Sequence, residues 1–89
     1  FKTMMLCYEC MEVVKAMAEI GNPNSVTDAG VGALAARSGV IGAFLNVKIN
    51  AAGLDDKEYA NDIIARGEKV VEMAKQLETD ILNIVNSKI

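Results

Sequence analysis

Along the 89 residues, apolar positions recur every three or four residues in three long runs, which predicts three helices and no strands. In the first run Met4, Cys7, Met11, Val14 and Ala18 form a stripe, so a helix is expected over about 2–20. Gly21 then suits a left-handed C-terminal position, and Pro23 forbids continuation of the same helix. Ser25 reads as the N-cap of the next helix, with Asp28 three residues on as its capping-box partner, giving a helix over about 26–51 closed by Gly53. This second helix is apolar nearly all round, which marks a central helix. The third is expected over about 56–86, starting after Asp55 with Glu58 as its capping-box partner. Its residues Ala60, Ile63, Gly67, Val70, Ala74, Leu77, Ile81 and Ile84 alternate steps of three and four, a heptad seam. That seam is about 45 Å long, and the first helix is under two thirds of its length. Part of the seam is therefore expected to need a second subunit or an upstream segment. The fold class is all-α, three long helices forming part of a bundle, with 1–89 as one portion of a single helical domain.

One strip of the second helix is unusual. At 100° per residue Asp28, Gly32, Ala35, Gly39, Gly42 and Asn46 fall in line, with Asn50 slightly off it. Its small residues let another backbone or a flat ligand approach, at a helix-propensity cost of up to about 1 kcal/mol per interior glycine. The stretch Gly21–Asn50 also sets Asn22, Asn24, Ser25, Asp28, Asn46 and Asn50 among small apolar residues. Polar groups buried in such surroundings cost about 1–3 kcal/mol each unless partnered, so caps, a second subunit or a ligand should satisfy them. Asn46 and Asn50 are one turn apart and share a face, suiting either hydrogen bonds to helix ends and a subunit interface or ligand contact. Asp28 and Asn46, eighteen residues apart, are separated by about 27 Å in a straight helix, so they cannot meet at one reacting atom unless a glycine kinks the helix.

Composition narrows the function classes. A net charge of −3 with no Lys/Arg cluster argues against nucleic acid. Asp28 and Arg37 interrupt the one stretch approaching the ~18 apolar residues of a membrane span, and no secretory signal is visible, so the expectation is a soluble, cytoplasmic protein. The start at Phe1-Lys2-Thr3, without methionine or a capping residue, reads as a cut within a longer helical protein. The Cys7-Tyr8-Glu9-Cys10 pair lacks the strand before a redox motif and the further ligands that zinc needs; on a helix it reads as small apolar filler, with no metal expected. With no histidine, acid–base candidates are carboxylates. Asp55 and Asp56 read as caps, Glu68, Glu72 and Glu78 as a solvated face, and Asp28 alone shares the strip with the asparagines.

The segments GNPNSVTDAG and, later, NVKIN resemble the signatures of the cyclodeaminase/cyclohydrolase family of folate enzymes, over about Met11 to Val85. The resemblance implies an all-helical homodimer that uses a tetrahydrofolate derivative as substrate and no prosthetic group. Its two reactions are hydrolysis of 5,10-methenyltetrahydrofolate to 10-formyltetrahydrofolate, and cyclodeamination of 5-formiminotetrahydrofolate with loss of ammonia. It implies folate contacts at Asn22, Asn24, Ser25, Asn46 and Asn50, with Asp28 as a catalytic candidate. The family's domain is about twice as long, and its N-terminal half, with the main catalytic carboxylate and a Pro-Gly-Gly-Gly-Ser-type segment, has no counterpart here, so this polypeptide alone is expected to be inactive. Arg37 and Lys48, the cations available for a glutamate tail, lie off the strip. A non-catalytic helical dimerisation fragment is the alternative, and it predicts that enlarging Gly67 or Ala74 would weaken a dimer.

Overall fold

The computed structural model describes residues 1–21 and 23–89, and the side chains of all of these except Pro23 and Asn24. Three helices, α1 (Lys2–Ile20), α2 (Pro23–Ala52) and α3 (Lys57–Lys88), pack into a rod of 51 × 15 × 14 Å. Short turns make α2 antiparallel to both neighbours, so α1 and α3 run parallel.

The helix ends differ from expectation in three places. Helix α2 begins at Pro23, so Ser25 is its third residue and not its N-cap. Proline is favoured at a first helical position because its missing N–H would be unpaired there anyway and its φ is already helical. Gly21 is extended, with φ −78° and ψ 156°, not left-handed. Helix α3 is capped by Asp56, one residue later than expected: its Oδ1 accepts from the Tyr59 amide at 3.0 Å, which leaves Glu58 outside a capping box. Asp56→Ala should therefore cost about 1 kcal/mol of unfolding free energy, readable by urea titration, whereas Asp55→Ala should cost almost nothing.

The core is aliphatic, as the small aromatic content requires. Met4, Met11 and Ala18 of α1 meet Val26, Ala33, Val40 and Phe44 of α2 and Val70, Ala74, Leu77 and Ile81 of α3. No buried polar or charged side chain is found among the described residues. Two glycines permit close approach. A Cβ on Gly67 would overlap the Phe44 ring, and one on Gly39 would lie 3.0 Å from the Cys7 sulfur.

The α3 seam is mostly filled from within the chain. Ala60, Gly67, Val70, Ala74, Leu77, Ile81 and Val85 are all buried. Ile63 and Ile84 are half-buried and pack against the same core, and Val85 joins the buried line at its end, because a straight helix lags a strict heptad by about 20° per repeat. Helix α2 is nearly as long as α3 and covers what α1 cannot. Gly67 and Ala74 thus face neighbours within the chain, not a dimer seam. The length mismatch appears at one end only. Lys88 Nζ donates to the carbonyls of Glu19 and, at 3.3 Å, Gly21, so α1 and α3 finish together. With about 28 Å of α1 against about 48 Å of α3, the start of α3 is left beside α2 alone. A cleft of about 210 Å³ opens there, lined by residues including Phe1, Ala51, Tyr59 and Ile63.

By length and composition, Ser25–Ala52 is apolar enough to cross a bilayer, although little of it is buried inside the chain. This corrects the expectation from sequence: Asp28 lies near one end of the segment and Arg37 is a single charge, so neither breaks the apolar run.

Candidate functional site

The small-residue strip of α2 divides into two halves with different environments. Gly32 faces Val14 and Gly39 faces Cys7, so there the strip forms the α1–α2 contact. At Gly42 a side chain would meet nothing within 4 Å. Beyond it the strip lines a groove of about 480 Å³ between the start of α1 and the last turns of α2. Thr3 and Cys7 form one side, Gly39, Gly42, Ala43 and Val47 the floor, and Asn46 and Asn50 the polar edge, with Phe1 at the end. A flat apolar floor edged by two amides one turn apart can hold a planar heterocycle and both donate to and accept from its polar rim. No carboxylate lines this groove.

The expected site residues do not gather in one place. Asn46 and Asn50 are exposed and adjacent; Ser25 and Asp28 are exposed near the other end of the same helix. Helix α2 runs uninterrupted from Pro23 to Ala52, so no kink shortens the ~27 Å between Asp28 and Asn46. Ser25 instead borders a separate hollow with Met17, Ile20 and Gly21. Asn22 and the side chain of Asn24 lie outside the described residues. Because the described polar residues of this stretch are all on the surface, the desolvation cost expected from their neighbours does not arise.

The cations are committed elsewhere. Arg37 Nε pairs with Glu78 of α3, and Lys48 Nζ stands 4.9 Å above the Phe44 ring. Both therefore point toward the α3 side and away from the strip, as their helical positions predict. Sequence reasoning missed the contribution of α1: nothing in the periodicity of Thr3 and Cys7 signals that they flank a groove, because the α1–α2 stagger sets that neighbourhood. Cys7 is half-buried and Cys10 exposed, and both are free thiols. Among the described residues no group of three or more His, Cys, Asp or Glu could hold a metal ion.

Comparison with known proteins bears on this groove. Residues 1–83 match the family profile described as Formiminotransferase-cyclodeaminase. The chain is also similar to the methenyltetrahydrofolate cyclohydrolase of Methylorubrum extorquens, with 38% identity over 84 residues. That alignment takes in 94% of this chain but only 40% of the relative's length. No solved structure matches the chain.

Proposed function

Because this chain belongs to the formiminotransferase-cyclodeaminase family, we propose that it builds one wall of a folate site at which the one-carbon bridge between N5 and N10 is opened or closed. The similarity to a methenyltetrahydrofolate cyclohydrolase carries this reading and favours hydrolysis over cyclodeamination. Water adds to the bridging carbon of the methenyl cation and loses one proton to the acid–base group, giving a neutral hydroxyl adduct. The hydroxyl then loses its own proton as the C–N5 bond breaks, N5 takes up a proton, and 10-formyltetrahydrofolate is left, with one proton released overall. In cyclodeamination the N10 nitrogen attacks the formimino carbon and ammonia departs.

The groove suits the recognition half of this task. Its flat floor at Gly39, Gly42 and Ala43 accepts the pterin face, and Asn46 and Asn50 pair with the pterin edge. The acid–base half needs a carboxylate near the bridging carbon. Asp28 of the same chain is too far from Asn46 to serve it, so that group comes from outside this chain's own groove. Ser25, at the far end of α2, contacts the remote part of the ligand or a neighbouring wall; Asn22 and Asn24 enter the folate reading through the family resemblance alone.

The test is loss of the methenyl absorbance when the purified full-length protein meets 5,10-methenyltetrahydrofolate, with ammonia release from 5-formiminotetrahydrofolate as the second assay. Neither signal, together with no binding of 5-formyltetrahydrofolate, would overturn the folate reading and leave a helical interaction module. Asn46→Ala should weaken 5-formyltetrahydrofolate binding about 3- to 10-fold, the worth of one hydrogen bond. Unchanged affinity would remove Asn46 from the site.

A further inference from the structure

Sulfur is unevenly placed along this chain. Of its five methionines and two cysteines, Met4, Met5, Cys7, Cys10 and Met11 crowd into the first half of α1. At 100° per residue Cys10, Cys7, Met11 and Met4 occupy one arc of about 120°, with Met5 outside it. Burial is graded across the arc. Met4 and Met11 are fully buried, Cys7 is half-buried and packs against the same core, and Cys10 is exposed. The exposed thiol departs from the expectation that both cysteines are apolar filler. Neither the core nor the folate groove accounts for it.

Two thiols one turn apart can be joined by a disulfide or by an ion, and the backbone separates the two. Helical neighbours three or four residues apart hold their Cβ atoms about 5–6 Å apart. A disulfide needs about 3.5–4.5 Å, so joining Cys7 to Cys10 would unwind α1 locally. A bridging ion needs no such shift, because two metal–sulfur bonds of about 2.3 Å each span the space between the sulfurs. Helix α1 is continuous from Lys2 to Ile20, and both thiols are free. Carboxylates do not join the pair: among the described residues no group of three or more His, Cys, Asp or Glu could hold an ion. That leaves zinc short of its four donors. What remains is an all-sulfur set of low coordination number, which selects a soft ion. Cys10 and Met11 flank Cys7 from the next turn, so two thiols and one thioether stand in a triangle on the helix. Cys7 also borders the groove over Gly39 and Gly42, so it is reached from solvent on that side.

We propose that Cys7, Cys10 and Met11 bind one soft monovalent cation, Cu(I), as two thiolates and a thioether. Both thiols give up their protons as the two copper–thiolate bonds form, so two protons are released and the loaded site carries one negative charge. Copper keeps its oxidation state throughout, and the thioether of Met11 adds a third, neutral donor. Met4 and Met11, both fully buried, give the site an apolar side that limits the access of water to the ion. The site stands apart from the folate reading, because neither Asn46 nor Asn50 takes part in it.

The test is competition for Cu(I) between the full-length protein and bicinchoninate, under reducing and oxygen-free conditions. The wild-type protein should withdraw one more equivalent of copper than the Cys7→Ala/Cys10→Ser protein. Cys7→Ala and Cys10→Ser alone should each lose that equivalent, with the helical circular dichroism unchanged. Met11→Leu keeps the core volume and should weaken binding about 10- to 100-fold, the range that an outer-shell partner already commands. Excess Zn(II) should leave copper uptake unaltered. Equal uptake by the wild-type and double-variant proteins would overturn the proposal. So would loss of helical circular dichroism on loading, which would mean that the thiols meet only on an unwound helix. Displacement of the copper by zinc would overturn the all-sulfur assignment, and unchanged affinity in Met11→Leu would overturn the three-donor one. No folate is present in these measurements, so failure of the copper site leaves the folate reading standing, and the reverse.

Discussion

Phe44→Ala is expected to lower the unfolding free energy by about 3–5 kcal/mol, the largest loss of any single truncation in the core. The Phe44 side chain is buried between α2 and α3, with one edge of its ring in the space that a side chain at position 67 would fill. Lys48 stands over the ring and shields it from solvent. Truncating a buried phenylalanine costs about 3–5 kcal/mol. A chain of this length has a total stability on the order of 4–13 kcal/mol, so the loss takes a large share. The matching change at the other side of the contact is Gly67→Ala. In an open helix it would gain about 0.5–1 kcal/mol. Here the added methyl falls within the ring, and overpacking of about 1–3 kcal/mol outweighs the gain. In a Phe44→Leu background, where the ring is gone, the same change should turn neutral or stabilising. Urea titrations of the four proteins measure this coupling, and additive effects would show that ring and glycine do not touch.

Gly42→Leu should have the largest effect on ligand binding. The position is exposed, and a Cβ added there would meet no protein atom within 4 Å, so the chain itself accommodates a side chain. Removing glycine from a helix interior should even add up to about 1 kcal/mol of stability. The added isobutyl group occupies the floor of the groove beside Asn46, where the pterin ring is proposed to lie. Binding of 5-formyltetrahydrofolate should fall about 100-fold or more, the effect of about 3 kcal/mol of steric exclusion, while the thermal midpoint stays or rises. Retained affinity would move the ligand off this strip.

Much of this molecule is legible in its amino-acid order. All three helices fall within three residues of their expected bounds, because their stripes and breakers are local signals. The largest difference is the start of α2 at Pro23 instead of Val26. It arises because Ser25 reads as a cap, whereas proline at a first helical position is the stronger signal. The Ala60-to-Ile81 seam is legible for the same reason as the helices: it is a periodic stripe on an otherwise polar helix. Asn46 and Asn50 can be recognised as a pair, because helical spacing alone makes them neighbours.

What only the tertiary structure decided concerns α2. A helix that is apolar nearly all round carries no internal record of which side faces inward, since its pattern satisfies the core in several orientations. The stagger of α1 and α3 selects the buried side. That choice sends Arg37 to Glu78 and Lys48 over Phe44. It sets Thr3 and Cys7 beside the asparagines, and it leaves the face from Val31 to Ile49 uncovered. The sequence by itself determined the three helices, the core stripes of α1 and α3, and the family; the packing of three rods determined which side of α2 is buried and where the Asn46–Asn50 groove opens.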